Sequence, residues 1–237
     1  MIRSFKGVFA IYSIGPLGAI CWEIKNGNIP SRRIMCILWD MNRIDEDNPK
    51  GDTQRPRLLL HICCAPCSGH VTGELAKEYD LLLYFYNPNI HPPREYNKRR
   101  DEARRWAEEE GFCFVEEAPA VEEWFDKTRG LEGAPERGAR CEVCFESRLS
   151  RAAEKASVMG IPYFGTVLSV SPHKDAAVIN RVGERTGEGA GVDFIKADFK
   201  KKEGFKLSMK KAREAGMYRQ DYCGCVYSMR PKSKVST

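Results

Sequence analysis

After residue 25 the 237-residue chain has no apolar stretch long enough to span a bilayer, which excludes the multi-span membrane class. No internal repeat or low-complexity tract interrupts it. Its composition, 42% hydrophobic and 30% charged, is that of a globular protein rather than a collagen-like or wholly disordered one. Charge of one sign is barely in excess: 38 Lys plus Arg against 33 Asp plus Glu leave a net +5. Such a balance permits an acidic partner such as RNA without demanding one. What is abundant is cysteine, with ten residues. The chain is too long for a small disulfide-stapled secreted domain, so the cysteines point to another chemistry.

Three segments are expected: an N-terminal extension or mis-assigned start over 1–57, a catalytic α/β domain over 58–228, and a tail over 229–237. The extension has a basic start (Arg3, Lys6) and an apolar run from Gly7 to Trp22 broken by Pro16. It superficially resembles a signal peptide, but Gly18, Ala19 and Ile20 before Cys21 make no convincing cleavage or lipidation site. Met35 and Met41 are candidate internal starts. The downstream cysteine pattern suits a reducing compartment, so a cytoplasmic location is expected.

From Leu58 the chain alternates strands and helices. Apolar runs at Leu58–Cys63, Leu81–Tyr86, Phe112–Val115, Tyr163–Leu168 and Asp193–Ile195 read as strands, the first two as buried parallel ones. Helical spacing links Tyr96, Ala103, Trp106 and Ala107 before Gly111, and Phe145, Leu149, Ala152, Ala153, Ala156 and Met159 before Gly160. Strands alternating with helices imply parallel units and right-handed crossovers, hence a three-layer α/β sandwich. Ligands in such sheets sit beyond the carboxyl ends of the strands. Cys63-Cys64, Asn87-Pro88-Asn89 and Ser169 to Lys174 all fall there.

Seven cysteines form three clusters: Cys63-Cys64-Ala65-Pro66-Cys67, Cys141-Glu142-Val143-Cys144 and Cys223-Gly224-Cys225. Cys113 reads as a core residue, and Cys21 and Cys36 belong to the extension. The C-x-x-C pair at a helix start suits a metal centre, because free backbone N–H groups and the helix dipole favour negative charge there. Four thiolates serve either zinc or an iron–sulfur cluster. Zinc would join Cys141/Cys144 to Cys223/Cys225; an iron–sulfur centre would join the strand-end cysteines to Cys141/Cys144. Spacing leaves both open. A disulfide across C-G-C closes a tight ring that glycine eases, and strained, exposed disulfides tend to be the catalytic ones.

Five motifs in order, H-I-C-C-A-P-C, Y-N-P-N-I-H-P, R-C-E-V-C-F, L-S-V-S-P-H-K and M-Y-R-Q-D-Y-C-G-C, resemble those of the cobalamin-independent epoxyqueuosine reductases of the QueH type. The resemblance spans about Leu58 to Ser228. It implies a mostly parallel five-stranded sheet like that of the adenine nucleotide α-hydrolase (PP-loop) group, without the ATP loop, since Cys64-Ala65-Pro66-Cys67 stands where relatives carry S-G-G-x-D. It further implies reduction of epoxyqueuosine at the tRNA wobble position, the last step of queuosine formation. A [4Fe-4S] cluster on Cys63, Cys64, Cys141 and Cys144, an adjacent iron ion, and a redox-active pair Cys223/Cys225 follow from the same resemblance. Cys67 is a candidate for the second iron or an alternative cluster ligand. Neighbouring side chains on a strand point to opposite faces, so Cys63 and Cys64 can share a cluster only where the strand has ended and the chain turns. The electron donor remains unidentified.

Converting an epoxide to an alkene takes two electrons and two protons and releases water. It therefore calls for an electron store, a Lewis acid at the oxygen and a proton source. His91, His173, Asp221 and Tyr222 are candidate acids, while His61 reads as structural. The basic runs Lys98 to Arg105 and Lys200 to Lys211 are candidate phosphate contacts, the second being less balanced by acids, and Tyr96 or Tyr218 could stack on a splayed base.

Overall fold

A computed structural model describes residues 55–229. Most of the expected extension, with Cys21, Cys36, Met35 and Met41, and the tail from residue 230 lie outside the described residues. Five strands, β1 (Arg57–Ile62), β2 (Asp80–Phe85), β3 (Cys113–Glu116), β4 (Tyr163–Thr166) and β5 (Asp193–Phe194), form one parallel sheet in the order β3-β2-β1-β4-β5. The helices are α1 (Ala65–Leu75), α2 (Pro93–Glu110), α3 (Val121–Thr128), α4 (Ala139–Val158), α5 (Ala176–Ala190) and α6 (Gly204–Glu214). α1 packs against α2 and α6 in one layer, and α4 against α3 and α5 in the other. A parallel sheet covered on both faces explains the unbroken apolar run of β1, where Leu58, Leu59, Leu60 and Ile62 are all inaccessible.

Helix limits follow from local chemistry. Gly111, at φ 79°, ends α2 in the left-handed conformation that glycine adopts without strain. Asp175 opens α5 by accepting the amides of Ala177 at 2.8 Å and Val178 at 3.4 Å. The fourth apolar run, expected as a strand through Leu168, leaves the sheet after Thr166 and forms a 3-10 turn over Val167–Val170. Thr166 causes the turn: its Oγ1 accepts the Leu168 amide at 3.2 Å, which takes that N–H out of the ladder.

Strand order reverses direction at β1: the chain steps outward one way through β2 and β3, and the other way through β4 and β5. The carboxyl ends of β1 and β4 therefore flank the crevice where open α/β sheets bind ligands. The α5 side is packed to contact. A Cβ on Gly187 would lie 2.5 Å from the Val192 carbonyl oxygen and 3.0 Å from Phe164 Cε1. Backbone cannot yield as a flexible side chain can, so Gly187→Ala is expected to cost about 1–3 kcal/mol. Urea unfolding of the two proteins side by side checks this, and an unchanged midpoint would contradict it.

Candidate functional site

β1 ends at Ile62 and α1 begins at Ala65, with Pro66 in its first turn. Cys63 and Cys64 thus occupy a turn rather than a pleated strand, and the alternation of faces no longer separates them. The sulfurs of Cys63, Cys64 and Cys67 lie within 4.8 Å of one another, and Cys63 Sγ is 3.8 Å from Cys64 Sγ. All three are buried. Hydrogen bonds from Cys64 and Cys67 hold the Cys63 thiol well below its usual range. The same hydrogen bond to Cys63 pushes Cys64 up to about 12, and Cys67 also rises. The trio is thus one hydrogen-bonded unit in which Cys63 is the most acidic thiol. Gln220 Nε2 reaches over from the C-terminal segment to Cys64 Sγ at 3.0 Å.

α4, which packs on β1, carries the second cysteine pair. Cys141 lies in its first turn, half-buried, and accepts the Arg137 amide at 3.3 Å. Cys144 is one turn on and buried, and burial pushes its thiol up to about 11. Residues three apart on a helix share a face, so both sulfurs project from one side of α4. Arg148 follows one turn later and is 1% exposed. Its Nε donates to the Cys144 carbonyl oxygen at 3.2 Å, but Nη2 is buried without a hydrogen-bond partner. Burial works against the Arg148 cation, yet the charges of Cys144, Cys223, Cys63 and Cys141 outweigh it and raise the pKa. One guanidinium is therefore within electrostatic reach of all three cysteine clusters.

Lys174, in the loop after β4, has the same surroundings. Burial pulls its ammonium down, but Cys223, Cys63 and Cys67 prevail and raise it. Arg137 ties this loop to α4 by donating to the His173 carbonyl at 3.3 Å and to the Pro172 carbonyl. The C-G-C segment is within electrostatic reach of Cys144, with Cys223 exposed and Cys225 buried.

Sulfurs around a single zinc stand about 3.8 Å apart. Among the described residues, only Cys63, Cys64 and Cys67 form a group of three or more candidate ligands within 4.8 Å. Cys141, Cys144, Cys223 and Cys225 are therefore not drawn up as a closed zinc quartet. The thiols at the end of β1 and on α4, with Arg148 and Lys174 within their electrostatic reach, form a donor set that fits a thiolate-ligated metal centre such as an iron–sulfur cluster, which is a net anion.

Other sequence candidates fall into place around this crevice. His61 ties β1 to β4 and to the residue just past β2: Nε2–H donates to the Tyr86 carbonyl at 3.1 Å, leaving Nδ1 to accept from Thr166 Oγ1 at 2.9 Å. Burial and the Arg148 charge lower its pKa to about 4, so it is a neutral structural tie. His91 is half-buried against Trp124 and Phe125, with Nε2 unpaired. His173 and Asp221 are exposed, and the Tyr222 hydroxyl donates to the His91 carbonyl.

The basic runs differ from their sequence reading. Tyr96 is a core residue, packed edge-on to Phe85. Lys98 covers the Tyr218 ring at 3.4 Å from its centroid. Arg100 and Arg104 pair with Glu116, and Arg105 with Glu102 and Glu109. Lys200, Lys206, Lys210 and Lys211 also meet acids, at Asp198, Glu203, Glu214 and Glu110. The second run is thus better balanced than its sequence suggests, because Glu110 and Asp198 come from outside it. Sequence reading missed Arg148, Gln220 and Arg99 as site residues. Lys174 had a signal, since it closes the L-S-V-S-P-H-K motif at a strand end.

The family model described as epoxyqueuosine reductase QueH matches residues 58–231. A relative from Histophilus somni, named epoxyqueuosine reductase QueH, is 42% identical over 214 residues, covering 90% of this chain and 83% of its own. Its namesakes from Haemophilus influenzae and Thermotoga maritima are 42% and 33% identical, covering 75% and 73% of this chain and 74% and 90% of theirs. Among solved structures, the U34-tRNA thiolase NcsA from Methanococcus maripaludis with its [4Fe-4S] cluster gives a TM-score of 0.49 at 12% identity, over 84% of this chain and 69% of that one. That likeness is too distant to bear on function.

Proposed function

The chain belongs to the epoxyqueuosine reductase QueH family, and we propose that it reduces the epoxide of epoxyqueuosine at the tRNA wobble position to give queuosine. The observation that carries the reading is the buried Arg148 guanidinium, whose Nη2 has no hydrogen-bond partner and whose charge is within electrostatic reach of thiols of all three cysteine clusters. An unpaired buried cation is costly, and a bound anionic cluster supplies the missing counter-charge.

In this reading Cys63, Cys64, Cys141 and Cys144 hold a [4Fe-4S] cluster, and Cys67 ligates an adjacent iron or stands in as a cluster ligand. When bound, these groups would pass electrons singly and polarise the epoxide oxygen as a Lewis acid. Arg148 and Lys174 balance the charge of the thiolates. Cys223 and Cys225 are the two-electron store: their oxidation to a disulfide releases two electrons and two protons. Those are the quantities that convert an epoxide to an alkene and water. The exposed Cys223 meets the external reductant, and the buried Cys225 closes the ring. An electron donor from outside the chain returns the disulfide to the dithiol.

The test is anaerobic reconstitution followed by incubation with epoxyqueuosine-containing tRNA and nucleoside analysis. Conversion to queuosine-tRNA is the expected result. Absence of conversion by iron-replete protein, or full-occupancy zinc after attempted reconstitution, would reject the assignment.

A further inference from the structure

The segment from Tyr218 to Cys225 contains no helix or strand, so something outside it must fix the C-G-C turn. Arg99, on α2, is 2% exposed, and its guanidinium serves this purpose. Nη1 donates to the Cys223 carbonyl oxygen at 3.0 Å and Nη2 to the Tyr222 carbonyl oxygen at 3.1 Å. Nε donates to Glu95 at 2.7 Å, which aims the fork. Glu95 also accepts the Tyr218 hydroxyl at 3.0 Å, and Glu102 accepts the Tyr218 amide at 3.1 Å. From the other side, the His91 amide donates to the Gly224 carbonyl oxygen at 2.8 Å.

The turn is shaped to the guanidinium. Gly224 has φ +108°, and a Cβ there would stand 2.9 Å from Arg99 Nη1 and 3.0 Å from Ile90 Cγ1. The Arg99 cation is also within electrostatic reach of Cys64 and Cys63. One side chain thus grips the backbone of the dithiol segment while sensing the strand-end thiols.

We propose that Arg99 is a positioning residue for the Cys223/Cys225 pair, holding the peptide units on either side of Cys223 in the bend that ring closure requires. The proposal rests on the redox role assigned above to that pair. Closing a disulfide across one intervening residue demands a backbone geometry that a free segment rarely visits, and a clamp imposed in advance lowers the entropy lost on closure. A bidentate fork does this; a lysine ammonium on the same stem keeps the charge opposite Glu95 but lacks the planar fork.

The experiment measures the thiol–disulfide equilibrium of full-length, cluster-loaded protein in anaerobic mixtures of dithiothreitol and its cyclic disulfide. In the reaction two protein thiols become one disulfide as the cyclic disulfide takes up two electrons and two protons. Alkylation and mass analysis of the peptide carrying Cys223 and Cys225 report its position. For Arg99→Lys and Arg99→Met the equilibrium constant for disulfide formation is expected to fall at least tenfold, about 30 mV for this two-electron couple. In turnover, kcat is expected to fall with KM for tRNA unchanged. Arg99→Lys keeps the buried cation beside Glu95, so it carries the test should Arg99→Met fail to fold. A constant within threefold of the parent, or one that rises, overturns the proposal. Cys223→Ser separates the two readings: normal turnover in that variant refutes the redox role of the pair, whereas the equilibrium constant alone decides the role of Arg99.

Discussion

The Cys144→Ala protein is expected to emerge from anaerobic reconstitution colourless, with iron and acid-labile sulfide at least about tenfold below the parent, a floor taken from the losses seen when even the partners of metal ligands are removed. The magnitude follows from the two separate elements that carry the thiols. Cys63, Cys64 and Cys67 are gathered at the end of β1 and the start of α1, already within 4.8 Å of one another. Cys144 belongs to α4, buried beside Arg148. Cys67 is committed to the first element and is not placed to substitute for a thiolate on the second. Cys67→Ala, prepared alongside, should keep the visible absorbance and lose only part of the iron. Iron and sulfide analysis with absorption spectra decides the matter. A Cys144→Ala protein as strongly coloured as the parent, with unchanged iron, would show that α4 does not hold the cluster.

Cys223→Ser has the opposite signature: colour and iron are retained, and turnover on epoxyqueuosine-tRNA falls at least about a thousandfold, in keeping with losses on removing a residue that takes part in the chemistry. Serine matches cysteine closely in shape, and Cys223 is exposed, so the substitution leaves the buried trio and α4 undisturbed. What disappears is the capacity to form a disulfide. Cys225 alone can yield one electron and no closed product, and its burial keeps it from the external reductant. Multiple-turnover nucleoside analysis with a dithiol as sole reductant is the measurement. Turnover at the parental rate would assign the two-electron store to another group.

Much of this architecture was legible from residues in isolation. The run Leu58-Leu59-Leu60-His61-Ile62 is apolar without alternation, and only a strand covered on both faces tolerates that. The C-x-x-C at Cys141 placed two cysteines on one face of a helix start because three residues make nearly one helical turn, and Gly160 marked the stop of α4 because that turn takes φ +62°. The fourth strand was read too long, since a threonine that folds its hydroxyl back onto the amide two residues on looks, in sequence, like any other β-former.

The sequence by itself therefore determined the parallel α/β layout and the placing of one cysteine cluster at a strand end, because these depend on local periodicity and on residue type. Only the tertiary structure decided which charges belong to the site. Arg99 sits in a run of basic residues that resembles a solvated helix face, yet it is buried, with its fork on carbonyls 123 and 124 residues away. Arg148 likewise reads as one more polar position on an amphipathic helix, and its neighbours at Cys63 and Cys223 come from the two ends of the domain. Local propensity sets the backbone of an element. Whether a cation on it meets water, a carboxylate or a nest of thiols depends on which distant segments fold against that face, and no window of sequence contains them.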